Sequence, residues 1–169
     1  MSSPIQIVIC GRVPAHVNGI TTILNSQGYK GTPASAHSSS PNDRSISVTH
    51  TFSDFAPASS TLPTLVANSS TRPRAVVIGR GFSDEDQDAL MKRAGTREGD
   101  AGPGVAWLVA RPELMTEELK KRIGYHWDGK GPPPVEVLAG RIRESLRARG
   151  IEKGGEREGG LERDGVFGF

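Results

Sequence analysis

The sequence predicts a small α/β domain, a Rossmann-like or flavodoxin-like three-layer sandwich with about four mainly parallel strands. Short, almost continuously apolar runs at 5–10, 75–78 and 105–110 are typical of strands buried on both faces. Segments with apolar residues at helical spacing lie between and after these runs. This alternation of strands and helices favours a parallel sheet covered by helices.

The first strand-helix unit begins close to the amino terminus. Ile5 to Cys10 forms the strand, and Gly11-Arg12 ends it. Apolar residues then recur at helical spacing up to Leu24, and Pro14 suits the first turn of that helix. The unit therefore places a buried strand beside a helix that covers it.

The second strand is predicted at 46–52, where apolar and polar residues alternate as on the edge of a sheet. The segment before it, 31–45, is rich in Ser, Pro and Gly, which predicts a flexible insertion. Three prolines, at 57, 63 and 73, interrupt the segment after it. We therefore expect only a short helix near 61–68, or none.

The remaining helices show clearer signals. Ser83 followed by three acidic residues predicts a helix start, with the helix running to Ala94. A helix opened by Pro112 should follow the strand at 105–110, and an apolar stripe predicts a last helix over 135–149. We predict one domain over 1–150. The glycine-rich, charged segment 151–169 is expected to be a flexible tail, although its last four residues could dock.

Composition narrows the range of partners. The chain has 21 basic and 19 acidic side chains in 169 residues, so its charge gives no support for a nucleic-acid partner. A single cysteine excludes an internal disulfide. No secretory signal and no apolar run of membrane-spanning length is recognisable, so we expect no membrane association and a cytoplasmic location.

Three of the predicted strands are followed by an arginine, namely Arg12, Arg80 and Arg111. The carboxyl ends of parallel strands meet at one edge, where open α/β sheets bind ligands. Three guanidinium groups there predict a site for a phosphate or carboxylate. The alternative is that each arginine marks the passage from core to solvent and pairs with a nearby acid such as Asp84 or Glu113.

Cofactor motifs are incomplete. Gly11 is not followed by the other glycines of a dinucleotide loop, and Pro14 lacks an amide hydrogen. Gly79-Arg80-Gly81 is closer in shape, but the acids that follow would repel phosphate. A Walker P-loop and metal-ligand spacing are also missing, so no cofactor is assigned and no metal site is predicted. A receiver-type phosphorylation domain would need carboxylates where arginines stand.

Two groups of side chains are candidates for catalysis. Cys10 and His50 end adjacent strands and could form a thiolate-imidazole pair, unless Cys10 is simply a small apolar core residue. Tyr125, His126 and Asp128 form the second group. Its alternative is a helix end closed by aromatic packing and an Asp-Gly turn.

Two functions of different classes remain. The leading hypothesis is an accessory or regulatory α/β binding domain that recognises an anionic small molecule or a protein partner at the strand-end edge. The rival is a small enzyme, an isomerase, lyase or cofactor-dependent reductase, with its site at the same edge. A homo-oligomer formed through the apolar stripe of the last helix is a further hypothesis, unless that stripe covers the protein's own sheet.

Overall fold

A computed structural model describes residues 4–27, 45–94, 105–110, 117–122, 130, 133–148 and 166–168. The strands within these ranges are β1 (Ile5–Cys10), β2 (Ile46–Phe52), β3 (Ala75–Ile78), β4 (Ala106–Val109) and β5 (Val166–Gly168). The helices are α1 (Pro14–Gln27), α2 (Phe55–Ala67), α3 (Asp84–Arg93), α4 (Glu117–Arg122) and α5 (Val135–Ala148).

The strands form one parallel sheet in the order β2-β1-β3-β4-β5. This is the strand order of flavodoxin-like doubly wound sheets. The predicted class, a small three-layer α/β fold with a parallel sheet, is confirmed. β5 follows α5 in the chain and pairs with β4 from within the tail segment. The domain boundary at 150 stays a prediction, and the insertion at 31–45 lies almost wholly outside the described residues.

Each face of the sheet has its own core. Ile7 of β1 packs with the first core, which also receives Leu24 of α1 and Ile142 of α5. Val8 of β1 points to the opposite face, where Leu62 of α2 belongs to the second core. β1 is therefore buried on both sides, as predicted.

Helix α5 uses its apolar stripe within this layered structure. Ile142 and Leu146 of the stripe are fully buried in the first core, and its other members, Val135 and Leu138, are partly buried against that core. The stripe therefore covers the protein's own sheet, and the described residues lend no support to an oligomer formed through it. None of the helices in the described ranges is both long enough and apolar enough to cross a membrane.

The prediction for the segment after β2 is wrong, because α2 is a full helix of 13 residues. Pro57 lies in its first turn, where amide hydrogens have no acceptor within the helix. Pro63 lies inside the helix, but Leu62, Leu65 and Val66 are buried beside it. Burial of this apolar face outweighs the lost hydrogen bond. At the carboxyl end of α2, Arg72 donates a hydrogen bond from Nε to the carbonyl oxygen of Val66 at 2.7 Å.

Strand β2 lies at the edge of the sheet, as predicted, and has a β-bulge. Ile7 pairs with Val48 whereas Val8 pairs with His50, so Thr49 is the inserted residue. The amide of Val48 donates to Asn25 Oδ1 of α1 at 2.8 Å, which satisfies an edge amide. The bulge determines which residue of β2 lies opposite the end of β1.

Candidate functional site

The topology changes direction between β1 and β3. The chain leaves β1 towards β2 on one side of the sheet and leaves β3 towards β4 on the other. Ligands of open α/β sheets bind outside the carboxyl ends of the strands at such a switch point. Two loops line it here, residues 11–13 between β1 and α1, and residues 79–83 between β3 and α3.

A backbone hydrogen bond ties the first residue of each loop to the end of a neighbouring strand. The amide of Gly11 donates to the carbonyl oxygen of Phe52, and the amide of Gly79 donates to that of Cys10, both at 2.8 Å. A Cβ atom on Gly11 would lie 2.8 Å from Val17 Cγ2, so any larger residue would displace the Val17 side chain. The two loops therefore leave the sheet from adjacent, fixed points.

Arg12 is held at the switch point by contacts from two other elements. Its Nη2 donates to Asp86 Oδ2 of α3 at 3.3 Å, and its Nη1 lies 3.6 Å from Asp54 Oδ1, just before α2. Its Cζ lies 5.1 Å from the centre of the Phe82 ring, which is a cation–π distance. Arg12 thus connects three loops while 42% of its side chain stays exposed.

Gly81 makes room for this arrangement. A Cβ atom at position 81 would lie 2.4 Å from Cβ of Arg12 and 2.5 Å from its Cγ. Such distances are far below carbon–carbon contact, so any other residue would displace the base of the Arg12 side chain. The stem of Arg12 therefore occupies the space directly over the second loop.

Arg80 is exposed, one residue before Gly81. No acidic side chain among the described residues pairs with it. Arg12 and Arg80 come from neighbouring loops, as predicted, whereas Arg111 lies outside the described residues. A site formed by all three arginines stays a prediction. For Arg12 alone, the acid-pairing alternative describes the geometry, with Asp54 and Asp86 in place of Asp84.

The start of α3 is acidic, and its predicted N-cap is confirmed. Ser83 Oγ accepts a hydrogen bond from the amide of Asp86 at 3.1 Å, and Asp84, Glu85 and Asp86 occupy the first turn. Negative side chains at this position complement the helix dipole. They also repel a phosphate from this helix start, so an anion would have to approach from the side of the arginines.

The structure does not bring Cys10 and His50 together. Cys10 is fully buried in the second core, and this burial raises the pKa of its thiol to about 12. Phe52, not His50, lies opposite Cys10 in the sheet. His50 is exposed, stacks on Phe52 with ring centres 6.4 Å apart, and has Nδ1 3.2 Å from Thr49 Oγ1. The thiol is protonated at neutral pH and is not an activated nucleophile.

The second catalytic group, Tyr125, His126 and Asp128, lies outside the described residues. Within the described part of the chain, no three His, Cys, Asp or Glu side chains are close enough together to hold a metal ion.

Comparisons of the chain with protein-family models, curated proteins and solved structures find no match. The fold and the described geometry define a doubly wound α/β domain whose switch point is occupied by its own arginine.

Sequence reasoning missed two members of this cluster, Asp54 and Phe82. A signal existed for Asp54, because it follows β2 as the arginines follow their strands, and parallel strands end at one edge. Phe82 follows the glycine pair around Arg80, but nothing in the local pattern indicates that its ring lies under Arg12.

Proposed function

We propose that the protein is an accessory α/β binding domain that recognises an anionic group, a phosphate or a carboxylate, at the carboxyl edge of its sheet. Arg80 would make the first contact, and Arg12 would add a second guanidinium. Forked hydrogen bonds from arginine suit both kinds of anion. Because Asp54 and Asp86 already pair with Arg12, we expect weak binding, with a dissociation constant of about 1 mM for a free ion.

The observation that carries this proposal is the position of Arg80. It is exposed, pairs with no described acid, and projects from the switch point next to the loop that holds Arg12. An arginine that simply ended a strand could lie anywhere along the edge. This one lies where doubly wound sheets bind their ligands.

The described residues support binding better than catalysis. Cys10 is a buried, protonated thiol, and two carboxylates of the edge, Asp54 and Asp86, are engaged with Arg12. The alternative of an isomerase, lyase or reductase therefore lacks an activated group among the described residues.

A thermal-shift titration with inorganic phosphate and with citrate tests the proposal. Arg74 provides a matched control, because Arg74 and Arg80 are both exposed and flank β3 at opposite edges of the sheet. We expect the ligand-induced rise in Tm to vanish in Arg80→Ala, to decrease in Arg12→Ala and to persist in Arg74→Ala. Equal shifts in all three variants would reject an anion site at the carboxyl edge.

A second candidate, contact with a protein partner, is favoured by Val13. This residue is 50% exposed, the largest exposure of any large apolar side chain in the described part of the chain, and it follows Arg12 directly. An apolar side chain beside polar, solvent-accessible ones is typical of protein interfaces. A photo-crosslinker at position 13 should then capture a specific partner that one at exposed Thr64 does not. Identical products at both positions would exclude this surface.

A further inference from the structure

We infer that Asp54 and Asp86 are internal competitors for the proposed anion site, holding Arg12 in the resting protein and releasing it when an external anion binds. This inference rests on the proposed function, and it adds the regulation of that site. Three features support it. Asp54 precedes a helix that its side chain does not cap, Asp86 lies at a helix start that stabilises a carboxylate, and both ion pairs with Arg12 are long.

Asp54 lies where its carboxylate could bind a backbone amide at the start of α2 instead of Arg12. It is the N-cap residue of α2, with φ −131° and ψ 150°, the extended conformation that N-cap residues adopt. Its carboxylate nevertheless accepts no hydrogen bond from the amides of α2, a helix that the structure describes in full. It faces Arg12 instead. If Arg12 left, the Asp54 carboxylate could accept a hydrogen bond from the amide of Ala56, since Pro57 has no amide hydrogen, and this would offset the loss of the ion pair.

Asp86 also keeps a favourable environment without Arg12. It lies in the first turn of α3, where a carboxylate is stabilised by the helix dipole. Its side chain is only 27% exposed, so it stays close to the helix start. Releasing Arg12 therefore leaves neither carboxylate buried and unpaired, the situation that would make release costly.

The two ion pairs are long. Distances of 3.3 Å and 3.6 Å exceed the ~2.8 Å of a strong charge-assisted hydrogen bond. The Asp54 side chain is 72% exposed, so water competes for its carboxylate as well. Such pairs hold Arg12 weakly enough for a ligand to replace them. They nonetheless lower the affinity for any anion that needs Arg12.

Removing either carboxylate should therefore strengthen anion binding. We expect Asp86→Asn and Asp54→Asn each to bind inorganic phosphate up to about fivefold more tightly than the wild-type protein, the range that a partly exposed ion pair contributes. Asparagine preserves size at both positions and remains a good N-cap residue at position 54, so both variants should fold. Titration calorimetry measures the affinities, and thermal melting verifies folding.

Asp84→Asn is the matched control, because it removes the same charge from the same turn of α3 without touching Arg12. A general loss of negative charge would strengthen binding equally in Asp84→Asn and Asp86→Asn. Release of Arg12 would do so only in Asp86→Asn, and the gain would disappear when Arg12→Ala is added.

The outcomes distinguish this inference from the proposed function. If wild-type protein binds phosphate through Arg80 but Asp54→Asn and Asp86→Asn bind no better than Asp84→Asn, internal competition is wrong and the proposed function stands. If none of the proteins binds phosphate, both are overturned. If wild-type protein binds phosphate, binding strengthens only when Asp54 or Asp86 is replaced, and the gain requires Arg12, both are supported.

Discussion

Two neighbouring strands of this protein are followed by the same dipeptide, Gly-Arg, and the two arginines differ in their surroundings. β1 ends at Cys10 and is followed by Gly11-Arg12, and β3 ends at Ile78 and is followed by Gly79-Arg80. Arg12 is held by two carboxylates and an aromatic ring. Arg80 is exposed and pairs with no described acid. Local sequence determines where each arginine follows its strand, but residues from other elements determine whether its side chain forms ion pairs.

The difference has a physical origin in the loops that follow. α1 begins at Pro14, immediately after Arg12 and Val13, so the first loop is short. The second loop continues through Gly81 and the buried Phe82 before α3 begins. Gly81 and Phe82 provide the surface on which Arg12 lies, whereas Arg80 is exposed.

The largest effect is expected from Gly81→Ala, because its new Cβ atom would collide with the base of Arg12. Overpacking of this kind costs about 2 kcal/mol in the free energy of unfolding. Gly79→Ala is the control for the other side of Arg80, since its Cβ would lie 3.5 Å from the Cys10 carbonyl oxygen, an ordinary contact. Urea unfolding measures both. Equal stabilities would show that Arg12 does not lie against Gly81.

The next effect concerns Cys10, which directly precedes the first Gly-Arg pair. Its pKa is raised from 9.0 to about 12 by burial, so above pH 9 the unfolded chain loses a proton that the folded chain keeps. This contribution to stability is complete below pH 9 and is lost as pH rises towards 12. This group alone should therefore lower the free energy of unfolding by about 1.4 kcal/mol between pH 8 and pH 10.

Cys10→Ala isolates this thiol from the other groups that titrate in alkali. We expect the stability difference between wild type and Cys10→Ala, measured by urea unfolding, to shift by that amount from pH 8 to pH 10. A difference that does not change with pH would contradict a buried thiol at the base of the first loop.

A smaller effect separates the two arginines themselves. Arg12→Ala removes two partly exposed ion pairs and a cation–π contact and should lower the free energy of unfolding by about 1 kcal/mol. Arg80→Ala should change it by less than about 0.5 kcal/mol, as is usual for an exposed residue. The ratio of the two effects, measured by chemical unfolding, checks the contrast. Similar losses of stability in Arg12→Ala and Arg80→Ala would contradict the difference between the two arginines.

The smallest effect is the coupling between Arg12 and Asp86. A double-mutant cycle with Arg12→Ala and Asp86→Asn should give about 0.5 kcal/mol at low salt, and less in 1 M NaCl because the pair is partly exposed. The cycle of Arg80→Ala with Asp86→Asn should give no measurable coupling. Coupling in the second cycle but not the first would reverse the assignment of partners.

Much of the fold could be predicted because its signals are local. Continuous apolar runs mark β1, β3 and β4, the alternation at 46–52 marks an edge strand, and Ser83 with its acids marks the start of α3. These signals depend on residues close together in the chain.

The features that the sequence analysis missed depend on distant residues. α2 forms despite Pro63 because its apolar face is buried against the sheet. β5 has only three residues, too few for a periodic pattern, and is defined by its pairing with β4. Arg12 was correctly placed at the sheet edge, but its partner Asp54 comes from a separate strand-helix connection. No local rule links the two residues.

The most direct test of the central claim is a phosphate titration of isotope-labelled protein followed by NMR. We predict that the amides of Gly79 and Gly81 and the Nε–H group of Arg12 shift with one common dissociation constant, while the amide of Arg74 at the opposite edge stays unchanged. Such a result would place anion binding at the switch point and show that Arg12 takes part. Shifts spread evenly over both edges, or no shift at Arg12 and Gly81 at several millimolar phosphate, would contradict it.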